Sequence, residues 1–263
     1  MKRAVKTFKK SHLLPVLSII LLISQQIGIA YETETKKPDL GKNIYEERCM
    51  ICHGAKGNGK GLAGVMKRAE KNGRIINVEP RDFTIGVFRF RSTPTGYLPT
   101  DEDLMFLIDK GITRSFMPPH KDQLTMEEKK AVIGYIKTFS TRWKEEEQGE
   151  SIPVKKPRWV GSSKSVERGK KVYKEMKCWE CHGEHGKGDG PKSDKIEDDW
   201  GKPIVPFNFT VGALKRGASA EDIYITYTTG LDGTGMPSYE DSLGEGDRWH
   251  LASYTLKLMG KIK

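Results

Sequence analysis

Apolar positions recur with a helical period in several short stretches of the chain. Val132, Tyr135, Ile136 and Phe139 stand at i, i+3, i+4 and i+7, one face of a helix that opens at Thr125-Met-Glu-Glu128. Leu251, Tyr254 and Leu258 repeat that stripe near the other end. A middle helix is predicted from Asp101, carrying Leu104, Phe106, Leu107 and Ile108. Its counterpart begins at Ser219-Ala-Glu-Asp222, a capping-box pattern, and carries Ile223, Tyr224 and Tyr227. Two further helices are expected over about 40–50 and 166–178. The stretches between them are rich in Gly and Pro, which argues for loops. Val87-Phe-Arg-Phe-Arg91 alternates with period two and reads as a short strand or extended loop; little else carries a β signal. The expectation is a mostly α protein with long Gly/Pro-rich loops.

These elements fall into two sets in the same order, and the likeness extends to the residues. Gly41-Lys-Asn-Ile-Tyr45 matches Gly169-Lys-Lys-Val-Tyr173, and Pro80-Arg-Asp-Phe-Thr-Ile-Gly86 matches Pro206-Phe-Asn-Phe-Thr-Val-Gly212. Met117-Pro118 matches Met236-Pro237, and Tyr135 matches Tyr254. This is a tandem duplication of a unit of roughly 100 residues, two copies and not a solenoid. A length of 263 residues suits two small domains. The expected division is a signal segment over 1–30, a first domain over 31–140, a linker over 141–164 and a second domain over 165–263. The linker is marked by Glu145-Glu-Glu147, Pro153, Pro157 and Gly161-Ser-Ser163, and flanked by Trp143 and Trp159, which would pin it.

Residues 1–12 carry five Lys or Arg and no acid; an apolar run over 13–23 follows, then Gly28 and Ala30. That order fits a secretory signal cut after Ala30. The apolar run is short of the roughly 20 residues that span a bilayer. An uncleaved anchor helix is the alternative, and only then would the protein touch a membrane. Either way the remainder is expected to work in the periplasm or otherwise outside the cytoplasm. Export also changes the charge. The formal value of +10 drops to about +5 once the segment is gone. A basic protein raises nucleic acid as a partner, but export and the lack of a recognisable motif argue against it.

All four cysteines lie in two motifs, Cys49-Met-Ile-Cys52-His53 and Cys178-Trp-Glu-Cys181-His182. Cys-x-x-Cys-His is the attachment pattern of c-type haem. Each thiol of a pair can form a thioether to one vinyl group, and the adjacent His then faces the iron. A redox Cys-x-x-Cys needs no neighbouring His and prefers a βαβ setting, which is absent. Zinc would need the two pairs to complete one tetrahedral site, yet each pair sits within its own repeat. Two covalently attached haem c groups are therefore expected, and they would supply much of each small domain's core.

A six-coordinate carrier needs a second axial ligand, and Met opposite His raises the potential. Met117 lies 64 residues after His53, and Met236 lies 54 after His182. Each precedes a Pro between a middle and a last helix. The expected metal ligands are thus His53 and Met117, and His182 and Met236. His120 is an alternative to Met117; a Met in such a place is otherwise core filler. Arg81, Arg89 and Arg91 lie in the loop expected to pass the propionates, with plain surface charge as the equal alternative.

On these residues each unit resembles a class I c-type cytochrome domain. The pair resembles the tandem two-haem cytochromes of bacterial respiratory chains, over about residues 38–260. The resemblance implies that the first helix crosses the last through Gly41 and Tyr45 near Tyr135, and through Gly169 and Tyr173 near Tyr254. The segment of about 47 residues between motif and middle helix in the first unit is longer than the minimal fold needs. The expected function is one-electron transfer between respiratory-chain partners, a redox donor and an acceptor, with no catalytic residues. Two alternatives stand beside it: a two-haem peroxidase, and an electron-relay subunit of a larger periplasmic or membrane-bound oxidoreductase.

Overall fold

In the computed structural model, residues 39–263 are described, apart from 71, 72 and 74. The expected signal segment lies outside them. The first unit opens with α1 (Leu40–Ile44), passes through a π-helical turn over Tyr45–Cys49 and ends in α2 (Met50–His53). It continues with α3 (Asp101–Lys110) and α4 (Met126–Lys137). A short helix, α5 (Arg142–Glu145), leads out. The second unit has α6 (Ser163–Glu175), α7 (Trp179–His182), α8 (Ala220–Thr229) and α9 (Glu245–Leu258). Among the described residues no helix is long and apolar enough to cross a membrane.

Local chemistry explains where the helices start. Thr100, Thr125 and Ser219 each accept a hydrogen bond from the backbone of the third helical residue, and Asp103, Glu128 and Asp222 reach back to the cap backbone. Each box satisfies two N–H groups that a helix start leaves without partners. The two units solve one bend differently. The first widens into the π turn before Cys49, whereas the second stops α6 and turns through Lys177 at φ 55°.

Each unit has its own apolar cluster. In the first, α1 and α4 cross where a Cβ on Gly41 would overlap the Ala131 carbonyl oxygen. Buried Tyr45, Val132, Ile133 and Ile136 gather around Phe83 and Phe88. In the second, Gly169 lets α6 meet α9 against the carbonyl of His250, among Val172, Tyr173, Ile223, Trp249 and Leu251. The tyrosine pairs implied by the resemblance are present, Tyr45 and Tyr135 at 5.4 Å and Tyr173 and Tyr254 at 5.3 Å between ring centroids.

One alternative left open by the sequence is settled and one element departs from that reading. Val87–Arg91 forms no strand; Phe88 turns into the core and Arg91 is fully buried. A two-stranded antiparallel hairpin stands instead at β1 (Met66–Ala69) and β2 (Ile75–Val78). The linker is tied down along its length. Trp143 packs edge-on against Phe88 at 5.9 Å, the Ile152 N–H donates to the Ser92 carbonyl at 2.8 Å, and Trp159 lies 4.3 Å from the His250 ring.

Residues 38–263 make one compact unit, so the halves are joined by more than the linker. The fully buried Arg91 of the first half donates to the Thr229 carbonyl at 3.0 Å and to Asp232 at 2.8 Å. Thr95 donates to the same carbonyl at 2.8 Å. These donors cap the negative end of α8 from the other half of the molecule. Arg89 meets Asp198 and Arg216 meets Asp103, both at 3.4 Å, and Lys202 pairs with Glu79.

Candidate functional site: two matched cysteine–histidine centres

The two cysteine motifs are built alike. Each pair of cysteines spans one helical turn, α2 or α7, and each motif His is followed by a glycine at φ near 80°. Only Gly takes that conformation freely. It turns the chain back under the His ring, and the Gly carbonyl accepts from a buried tyrosine. Tyr45 donates to the Gly54 carbonyl and Tyr173 to the Gly183 carbonyl, each at 2.7 Å.

The two histidines are held in one orientation. His53 Nδ1–H donates to the Arg81 carbonyl and His182 Nδ1–H to the Phe207 carbonyl, each at 3.0 Å. Phe83 stacks on His53 at 4.4 Å, and Phe209 on His182 at 4.6 Å. Burial holds both imidazoles below the ordinary His value. Fixing Nδ1 as the donor leaves Nε2 with its lone pair, the form that a metal takes. Burial also pushes the Cys49 and Cys178 thiols up to about 11, so neither is primed as a free thiolate. The two cysteine pairs do not converge: among the described residues no group of three or more His, Cys, Asp or Glu side chains is placed to hold a metal ion.

The Met-Pro loops are a second matched pair. Each follows a glycine at φ 65° that ends α3 or α8, Gly111 or Gly230. The Ile112 N–H donates to the Met117 carbonyl, and the Leu231 N–H to the Met236 carbonyl, both at 3.1 Å. Ser115 Oγ accepts from the Met117 N–H at 3.4 Å, and Thr234 Oγ1 from the Met236 N–H at 3.2 Å. Met117 packs against the apolar cluster of its unit and Met236 against that of the other. His120 bonds Gln123 instead, at 3.2 Å.

Family comparison agrees with this duplicated geometry. Residues 36–136 match the model of cytochrome C oxidase, cbb3-type, subunit III, and residues 166–258 match the model of cytochrome c. A solved chain titled "Kuenenia stuttgartiensis reducing HAO-like protein complex Kustc0457/Kustc0458" is 40% identical, with a TM-score of 0.76 over 84% of this chain and 96% of that one. The chain is a c-type cytochrome with two domains in tandem. No curated protein matches it.

The cytochrome carries two covalently bound haem c groups, one for each motif. Its residues fit them. Each domain offers a cysteine pair, an oriented imidazole and a thioether sulfur, a donor set suited to haem iron. The arginines of the first loop divide in the structure. Arg81 lies over the Trp200 ring at 5.8 Å, and Arg89 is enclosed with its Nε unpartnered. Arg91, expected near a propionate, is turned to Thr229 and Asp232 across the junction. That role was not legible, because nothing near Arg91 in sequence names a partner 141 residues away.

Proposed function

We propose that this dihaem cytochrome is an exported one-electron carrier with His53 and Met117 as axial ligands of one iron and His182 and Met236 of the other. Cys49 and Cys52, and Cys178 and Cys181, are the thioether attachments. The single observation that supports it most is the Met loop, rebuilt with the same hydrogen bonds in both domains although its sequence differs. The haem supplies an iron that changes oxidation state without bond making. The chain's residues hold the ligands fixed, so that little rearranges when an electron arrives. Tyr45 and Tyr173 fix the glycine turns, the Arg81 and Phe207 carbonyls fix the imidazoles, and the phenylalanines pack the rings. Residues 31–140 and 165–263 are the domains of this reading, with 141–164 as a pinned linker and 1–30 as the export signal.

The surface beside the first motif suits partner docking. Ile51 is 53% exposed, Leu62 99% and Val65 59%, and Lys56, Lys60 and Lys67 stand exposed around them. The matching positions of the second domain hold a Glu180–Lys192 ion pair, Pro191 and Asp194. An apolar centre with a basic rim fits a redox protein that presents an acidic rim. A second reading, a relay subunit inside a larger oxidoreductase, is favoured by one finding: the similar solved chain belongs to a complex of two proteins. Purification from the native membrane and periplasm separates the two, since a relay subunit stays with its oxidoreductase and a carrier elutes alone.

The test of the main reading is a redox titration of the purified protein, with its mass measured alongside. Two haems per chain, low-spin iron at rest and two reversible one-electron steps are expected. High-spin iron in both domains at rest overturns it.

A further inference from the structure

The two Met loops make the same internal bonds, yet they differ at one telling place. Counted back from Met117 and Met236, Arg114 of the first matches Gly233 of the second. Both take the left-handed conformation, Arg114 at φ 63° and Gly233 at φ 74°. Glycine adopts it freely and arginine does not. At Gly233 a Cβ would strike the Trp200 ring, so glycine is needed there. At position 114 glycine would relieve backbone strain, so the reason for an arginine lies in its side chain.

That side chain has two contacts. Arg114 Nη2 pairs with Glu70, just past β1, and Arg68 holds the same carboxylate at 2.6 Å. The hairpin beside Glu70 has no counterpart in the second domain among the described residues. Anchored there, the Arg114 guanidinium lies over the Phe207 ring of the other domain, 6.0 Å from its centroid. Phe207 is the residue whose carbonyl accepts from His182 Nδ1–H at 3.0 Å. Its ring also lies 6.4 Å from that of Phe209, which stacks on His182. The opposite Met loop is tied in the same sense, since Asp232, next to Gly233, pairs with Arg91 of the first domain at 2.8 Å. Each Met loop is thus fastened to the other domain.

We propose that Arg114 is a positioning residue that couples the two haem sites, joining the loop of Met117 to the residue that orients His182. Three contacts in series connect one ligand loop to the imidazole of the other haem: Glu70 to Arg114, Arg114 to the Phe207 ring, and the Phe207 carbonyl to His182. The inserted hairpin then has a task, which is to hold the arginine over that ring. This rests on the ligation proposed above.

Arg114→Gly in the full holoprotein tests it. The variant takes the residue that the repeat uses, so it relieves the backbone while removing both contacts. The readouts are the g-values of low-spin ferric iron by EPR, which follow the orientation of the axial imidazole, and the denaturant midpoint of the red Met band. The second domain's signal is the one that Met236→Ala displaces. The first haem is expected to lose its Met band at lower denaturant, and the second haem's g-values to shift although no residue of its own domain has changed. Arg114→Lys keeps the charge and its pull on Glu70 but not the planar group over the ring, and is expected to shift those g-values as glycine does. Second-haem g-values that stay parental in Arg114→Gly, or that lysine keeps at the parental values, overturn the proposal. A parent protein without two low-spin signals and a Met band contradicts the ligation reading itself, and the coupling with it.

Discussion

Arg91→Met is expected to loosen the two domains from each other. Arg91 is fully buried and donates to Pro94, Phe88 and Thr229 carbonyls and to Asp232. The last two bonds cross the junction. Met keeps much of the side-chain volume but leaves the Asp232 carboxylate and the Thr229 carbonyl short of a donor. Removing one partner of a buried pair costs about 3–5 kcal/mol. Asp232 retains the Gly96 N–H at 3.1 Å and is 17% exposed, and Thr229 retains Thr95, so the lower end applies. For a protein of this size about 3 kcal/mol lowers the melting temperature by roughly 6–12 °C. Thermal melts followed by far-ultraviolet circular dichroism and by haem absorption are the assay. The parent is expected to melt once by both probes. The variant melts earlier, with the two probes no longer coincident. A single melt within about 2 °C of the parent would refute the view that Arg91 joins the halves.

Other predictions follow from the same contacts. Gly134→Ala in α4, which meets nothing within 4 Å, is expected to stabilise by about 0.5–1 kcal/mol, whereas Gly169→Ala, which overlaps the His250 carbonyl, destabilises by about 1–3 kcal/mol; denaturant titration reads both signs. Leu62→Glu is expected to slow reduction by an acidic iron–sulfur protein and leave reduction by dithionite unchanged, in stopped-flow mixing; equal slowing of both would count against docking at that face. Asp101, with Lys137 and Gln148 opposing its burial, and Asp247, bonded by Arg168, sit below the ordinary carboxylate value. Their stabilisation is present above about pH 4 and is lost as acid protonates them, so melting temperature falls as pH drops through that range and not above it.

The duplication, the helices and both motifs were legible because each rests on a local signal. The boxes at Thr125 and Ser219 are local chemistry, and so are the Gly turns after each His. The β1–β2 hairpin was missed among charged residues, although Asn72-Gly73 ahead of Ile75, Ile76 and Val78 is a turn signal that could have found it. Val87–Arg91 reads as a short strand or an extended loop, and the structure takes the loop. Its alternation is real, but no strand is there to pair with it, and packing of Phe88 and capping by Arg91 took the residues instead. Contacts between domains have no period or motif, so the bonds from Arg91 to Thr229 and Asp232 emerged only from the fold.

The central claim is that each iron is held between a His and the Met of its own domain. The most direct measurement is the absorption band in the red, due to Met bound to ferric iron, in Met117→Ala, Met236→Ala and the double variant. Each single variant is expected to lose its own haem's share of the band, and the double variant all of it. An unchanged band in both single variants would contradict the ligation on which the electron-carrier reading stands.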